Sequence, residues 1–162
     1  MRPEGALRVN GWLLLQHPAF REAFEASTEA VRKLAEKDPE TYRSKAETKL
    51  LAAILKLVTE DIPANPADEK YRLGNTIGKD RRHWRRAKFF QQYRLFFRFD
   101  AARKIIIYAW VNDRTTKRAY GSRTDAYEVF RKRLGKGHPP DDWDALLAAA
   151  RALQGGGEAP VR

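Results

Sequence analysis

The sequence has no cysteine among its 162 residues. A disulfide framework, a thiolate zinc site, an iron–sulfur cluster and a cysteine nucleophile are therefore excluded. Histidine is scarce as well: His17, His83 and His138 stand far apart, with no HExxH and no paired spacing of the kind that holds a metal. A Gly-rich phosphate loop is missing, because Gly74, Gly78 and Gly121 are isolated. No apolar run approaches the roughly 20 residues that cross a bilayer. Met1-Arg2-Pro3-Glu4 leads only to Leu13-Leu14-Leu15, too short for the core of a secretion signal. The expectation is a cytoplasmic protein with no membrane partner and no cofactor.

The most telling shortage is of negative charge in one region. The chain carries 32 Lys and Arg against 21 Asp and Glu, a net charge of +11. Residues 70–136 hold 20 basic and only five acidic residues, while the segments on either side are each slightly acidic. A polyanion is the natural partner of such a chain. Confinement of the excess to one segment favours a nucleic-acid surface over a general solvating coat. The five acidic residues are Asp80, Asp100, Asp113, Asp125 and Glu128, and four of them read as turn or cap residues. A two-metal nuclease needs several converging carboxylates. Cleavage of a phosphodiester by this chain is thus expected to need no metal.

Periodicity supplies the elements. Val9–Leu15 reads as a strand or an extended arm. His17-Pro18 opens a helix carrying Phe20, Phe24, Val31 and Leu34 at helical spacing. Asp38-Pro39 repeats the start signal before Tyr42, Ala46, Leu50, Ile54, Leu57 and Val58, and Asp61-Ile62-Pro63 ends that run. Residues 17–61 are therefore expected to form a helical hairpin. Strands are expected at 71–77, 84–90, 93–99 and 104–111, the last apolar on both faces and hence central. Short connections between them argue for an antiparallel sheet. Ser122 or Thr124 can cap a helix through Leu134, with Tyr127 and Phe130 spaced to pack on the sheet, and Pro139-Pro140-Asp141 opens a last one. The whole is an α+β domain over residues 1–153, with about four antiparallel strands, followed by a disordered tail over 154–162.

The basic residues of the expected sheet carry the chemistry. Arg86 and Lys88 share one strand face, and Arg94 and Arg98 share one face of the next. Arg114, Lys117, Arg118 and Tyr120 follow the central strand. Guanidinium groups grip phosphate oxygens bidentately, and a tyrosine ring stacks on an unpaired base. Each residue alone reads as a solvated or packed side chain; the set reads as a cationic concave face.

Several segments in this order resemble the YhaV family of bacterial toxins, within the wider RelE superfamily of messenger-RNA-cleaving toxins. They are Val9-Asn10-Gly11-Trp12, Lys37-Asp38-Pro39-Glu40, Thr48-Lys49-Leu50-Leu51-Ala52, Tyr93-Arg94-Leu95-Phe96-Phe97-Arg98, Trp110-Val111-Asn112-Asp113, Thr124-Asp125-Ala126-Tyr127 and Gly137-His138-Pro139-Pro140. The resemblance implies a helical hairpin packed on a twisted sheet with the active face on that sheet. It implies an endoribonuclease acting on messenger RNA at the ribosome, an antitoxin of the PrlF type, and repression of the pair's own promoter by the complex. It implies attack of a ribose 2′-OH on the adjacent phosphodiester, which requires a base, positive charge around the phosphorane and an acid.

By that resemblance Arg94 stabilises the phosphate, Arg86 and Lys88 match an upstream basic pair, and Tyr120 stacks on the base. Arg114 and Arg118 are alternatives for a further arginine. Arginine keeps its proton at any working pH, so Lys88 is a better base than Arg86. His83 is a second option. Arg85, Arg98, Lys117 and His83 are expected to add RNA contacts. The rival reading, a non-catalytic basic RNA-binding module, uses the same residues.

Overall fold

In the computed structural model, which describes residues 7–113 and 124–156, the N-terminal segment is a hairpin. Leu7–Val9 (β1) and Trp12–Gln16 (β2) are joined by Asn10 and Gly11, whose φ angles of 53° and 84° suit a tight turn. Pro18–Lys37 (α1) follows, then Ala46–Lys56 (α2), a π turn over Leu57–Asp61 and a last helical turn, Ile62–Ala64 (α3). Three strands come next: Arg85–Phe89 (β3), Tyr93–Asp100 (β4) and Ile105–Val111 (β5). Two helices complete the described chain, Thr124–Gly135 (α4) and Trp143–Gly156 (α5).

The sheet has five strands in the order β1-β2-β5-β4-β3. The apolar β5 is central, as its composition dictates, and all seven of its residues are buried. Four antiparallel strands were expected, and the sheet departs from this in two ways. β1 and β2 join it, and β2 runs parallel to β5, with Leu14 opposite Ile106. The long connection between these two strands, which holds α1 to α3 and the strands β3 and β4, permits a parallel pairing that no local periodicity encodes.

Helices cover both faces. On one, Phe20, Leu50, Ile54 and Leu57 pack on Trp12, Leu14, Leu95, Phe97 and Tyr108. On the other, Phe130 and Leu134 of α4 and Leu146 and Leu147 of α5 pack on Phe96, Ile105, Ile107 and Trp110. A bulge at Ala109 shifts the register between Phe96–Trp110 and Phe97–Tyr108. It brings Trp110 to the α4 face beside Phe96, where both stack on Phe130, Phe96 at a centroid distance of 4.0 Å and Trp110 at 6.0 Å.

Three further expectations are corrected. Asp38-Pro39 does not start the second helix: residues 38–45 turn through a 3-10 segment at Tyr42–Ser44, and α2 begins at Ala46. Asp38 instead ends α1, its amide donating to the Leu34 carbonyl. Residues 71–77 are no strand. Glu69–Tyr71 is a 3-10 turn, and only Arg72 bridges to Arg85. Leu73 and Ile77 are core residues of a loop, which mimics a strand pattern in sequence. The last helix runs on to Gly156, past the expected start of the tail. The remaining tail residues, 157–162, and the side chains of the cap candidates Ser122 and Thr124 lie outside the described residues.

His17 caps α1, with its Nδ1 accepting the Ala19 amide at 2.9 Å. Burial and then the neighbouring His138 ring lower its pKa from 6.5 to about 4. Between those values the unfolded chain binds a proton that the folded chain refuses, so stability falls as pH drops through that window. The full difference corresponds to roughly 3 kcal/mol. Urea unfolding of the native protein is expected to weaken across this range. His17→Asn keeps a cap acceptor without the titration and should weaken less. Parallel pH profiles for the two proteins would rule out His17 as the titrating group.

Candidate active site

β3 and β4 pair so that Lys88 lies opposite Arg94 and Arg86 opposite Phe96. Side chains alternate along a strand, so Arg86, Lys88 and Arg94 all sit on the face that α4 covers. There Arg86 Nε and Arg94 Nε both donate to the hydroxyl of Tyr127, at 2.9 and 2.7 Å. The Arg94 guanidinium also lies 5.6 Å from the centre of the Tyr127 ring. A phenol that accepts two N–H groups still has its own hydrogen to donate.

The two arginines are held differently. Arg86 is half-buried, and its Nη1 donates to the carbonyls of Arg72 and Lys70 at 2.7 and 3.3 Å. Arg94 is only 4% exposed. Its Nη1 donates to the carbonyls of Gln91 and Tyr93 at 2.8 and 2.9 Å. Its backbone amide donates to Asn112 Oδ1, and Asn112 Nδ2 donates in turn to the Gln92 carbonyl. Arg94 and Asn112 thereby clamp the β3–β4 turn, in which Phe90 and Gln91 have φ of 45° and 63°. A left-handed conformation at a bulky residue is strained and persists only when its surroundings enforce it.

Lys88 is exposed at the end of the same face. Among the described residues, no carboxylate lies within ion-pair distance of Arg86, Lys88 or Arg94. Three cations without a counter-charge at one strand pair make a site for an anion. Among the described residues, no group of three or more histidine, aspartate or glutamate side chains comes together to hold a metal.

Three other candidates lie elsewhere. Arg98 faces the α5 layer rather than an open sheet. Its guanidinium lies 5.4 Å from the Trp84 ring and 5.2 Å from the Trp143 ring, and it donates to the Asp141 carbonyl at 2.7 Å. Burial lowers its pKa, against the pull of Asp141 and Asp142. Arg85 points to the opposite face, over the Phe99 ring at 5.3 Å, with its pKa lowered by burial and by Arg72. His83 meets Asp141 at 3.0 Å, before the start of β3. Burial pushes the Asp141 carboxyl up, but hydrogen bonds from Trp84 and His83 and the charges of His83 and Arg81 hold it below its usual range. The open cationic sheet face read from sequence is thus smaller in the fold, because a second layer of helices covers most of it.

Arg114, Lys117, Arg118 and Tyr120 lie outside the described residues. The described residues run to 113, next to the Asn112 that accepts the Arg94 amide, and resume at 124, three residues before Tyr127. Sequence reasoning missed Tyr127 and Asn112 as site residues. Tyr127 reads as a packing residue at helical spacing, and no local signal marks a hydroxyl shared by two arginines.

The family described as "Toxin with endonuclease activity, of toxin-antitoxin system" matches residues 14–151. The chain is 48% identical over 141 residues to "Ribonuclease toxin YhaV" of Escherichia coli strain K12, covering 86% of this chain and 92% of that protein. The same identity and coverage relate it to "Toxin YhaV" of Escherichia coli O6:H1 and of Escherichia coli O157:H7. No solved structure matches the chain.

Proposed function

The chain belongs to the YhaV family of endonuclease toxins, and on that premise we propose that it is the ribonuclease of a toxin–antitoxin pair. The observation that carries the site is the convergence of Arg86 and Arg94 on one tyrosine hydroxyl, with Lys88 across the strand pair and no carboxylate among the described residues to neutralise them. Such a corner holds a phosphodiester and stabilises the extra negative charge of a phosphorane.

The reaction assigned to it is in-line attack. The ribose 2′-oxygen bonds to phosphorus, its proton passes to a base, and the bond to the 5′-oxygen breaks as an acid protonates that oxygen. The products are a cyclic phosphate and a 5′-hydroxyl. No metal is assigned a part, which accords with the scarcity of carboxylates in residues 70–136. Lys88 is exposed and so placed to meet the substrate, as base or as phosphate contact. Arg86 contacts the phosphate through the part of its fork not held by Tyr127 and the two carbonyls. Arg94 acts from beneath, supplying charge and fixing Tyr127. Arg114 or Arg118 grips a phosphate oxygen and Tyr120 stacks on the base.

The substrate is messenger RNA on the translating ribosome, whose framework supplies the substrate alignment that a small site lacks. An antitoxin of the PrlF type covers the cationic segment, capture being fast between opposite charges, and the pair represses its own promoter.

Induced expression of the chain alone in bacteria is expected to arrest growth and to create 5′-hydroxyl ends within translated regions. Purified protein added to a translation extract should cut the translated message and leave 5′-hydroxyl ends. Normal growth and intact messages from a folded chain would overturn the reading in favour of an RNA-binding module.

A further inference from the structure

β3 is the last strand of the sheet, and beyond the single Arg72–Arg85 bridge its outer edge has no strand neighbour among the described residues. A cleft of about 450 Å³ opens along that edge, lined by Leu57, Asp61, Lys70, Tyr71, Ala87 and Lys88. Its floor is apolar, with Leu57, Tyr71 and Ala87 all buried. Lys70 and Lys88 are exposed beside it, and the Lys70 ammonium lies 5.4 Å from the centre of the Tyr71 ring.

Tyr71 is the second observation. Its side chain is 97% out of solvent, packed edge-on to Phe97 at 5.5 Å. Its hydroxyl has no hydrogen-bond partner among the described residues, yet the residue lines the cleft. The hydroxyl oxygen itself reaches solvent, so a ligand in the cleft can take the place of water there. Burial and the Asp61 and Asp68 carboxylates raise its pKa to about 12, so the phenol keeps its hydrogen and remains a donor.

The cleft floor belongs to the α1–α2 face and the catalytic corner to the α4 face, and the two adjoin across the β3 edge at two residues. Lys88 lines the cleft and also pairs with Arg94 across the strands. Arg86 joins Tyr127 through Nε and the Lys70 carbonyl, on the cleft wall, through Nη1. Asp61 also lines the cleft, with its carboxylate held by Lys56 at 2.8 Å. A buried apolar floor, a phenol that donates and the exposed cations Lys70 and Lys88 are the features that take a base and its phosphate.

We infer that this cleft is a subsite for one nucleotide of a single-stranded RNA, next to the scissile phosphate: the base lies on Leu57 and Ala87, Tyr71 donates to it, and Lys70 and Lys88 hold the phosphate. The inference rests on the ribonuclease reading. The cationic walls favour a nucleic acid over a protein strand added to the β3 edge.

The test is fluorescence anisotropy of a labelled, uncleavable 2′-O-methyl RNA octamer of mixed sequence against the purified full chain. Tyr71→Phe keeps the ring on Phe97 and removes only the hydroxyl; Lys70→Ala changes an exposed side chain. Each is expected to raise Kd about fivefold, the effect of one lost hydrogen bond or phosphate contact, with the thermal midpoint unchanged for Lys70→Ala. Unchanged Kd in both variants, alongside native protein that still cuts messenger RNA, would overturn the subsite and leave the ribonuclease reading intact. Weakened antitoxin capture with unchanged RNA affinity would also overturn it, assigning the edge to a protein. Native protein that leaves RNA uncut would instead overturn the ribonuclease reading.

Discussion

Arg86→Ala is expected to lower RNA cleavage by about 10²–10³-fold, the usual loss when one preorganised donor to a developing charge is removed. The folded protein should survive the change. Arg86 lies on the edge strand and is only half-buried, and its partners are two loop carbonyls, which water can reach, and a hydroxyl that Arg94 also holds. Growth arrest on induction should disappear while the thermal midpoint moves by a few degrees at most. Arg86→Lys is the informative companion. It keeps the charge, but a single ammonium cannot reach Tyr127 and two carbonyls as a planar fork does. It should recover a minor part of the lost rate. Full toxicity of Arg86→Ala at equal expression would remove Arg86 from the site.

Arg94→Ala should differ in kind. Its guanidinium is enclosed and bonded to Gln91, Tyr93 and Tyr127, while its amide ties Asn112. Truncation leaves two carbonyls without their donor, opens a void, and releases the turn at Phe90 and Gln91 from its clamp. Buried unsatisfied groups and a cavity together cost about 3 kcal/mol. For a chain of this size that lowers the thermal midpoint by roughly 10 °C. Activity should be lost as well, so the two effects are separated by assaying below the variant's own midpoint. A native midpoint for Arg94→Ala would show that Arg94 contributes nothing to the turn, and its role would then be confined to the substrate.

The contrast between these arginines is invisible in the sequence. Both sit at polar positions of alternating strands, and both were assigned to one cationic face. Their shared face was legible because a period of two needs only the strand and its turn. Their unequal burial was not, because it depends on α4, more than 25 residues further along the chain. The same distance hides Arg98, which reads as a solvated strand residue until Trp84 and Trp143 close over it. Tyr127 was legible as a residue packing on the sheet, and not as the meeting point of Arg86 and Arg94.

The sequence by itself determined the charge asymmetry, the helix α1 with its His17-Pro18 start, the β3–β4–β5 meander, the central place of Ile105–Val111, and the family. All but the family follow from composition, local periodicity and turn chemistry, which act over a few residues; the family follows from the likeness of whole segments to known relatives. Tertiary structure alone decided the parallel pairing of β2 with β5, the burial of Arg94 and Arg98 under the second helical layer, the failure of residues 71–77 to form a strand, and which cations meet. Each of those turns on contacts between segments tens of residues apart. There the free energy of burying apolar faces against one another outweighs the local preferences that a sequence displays.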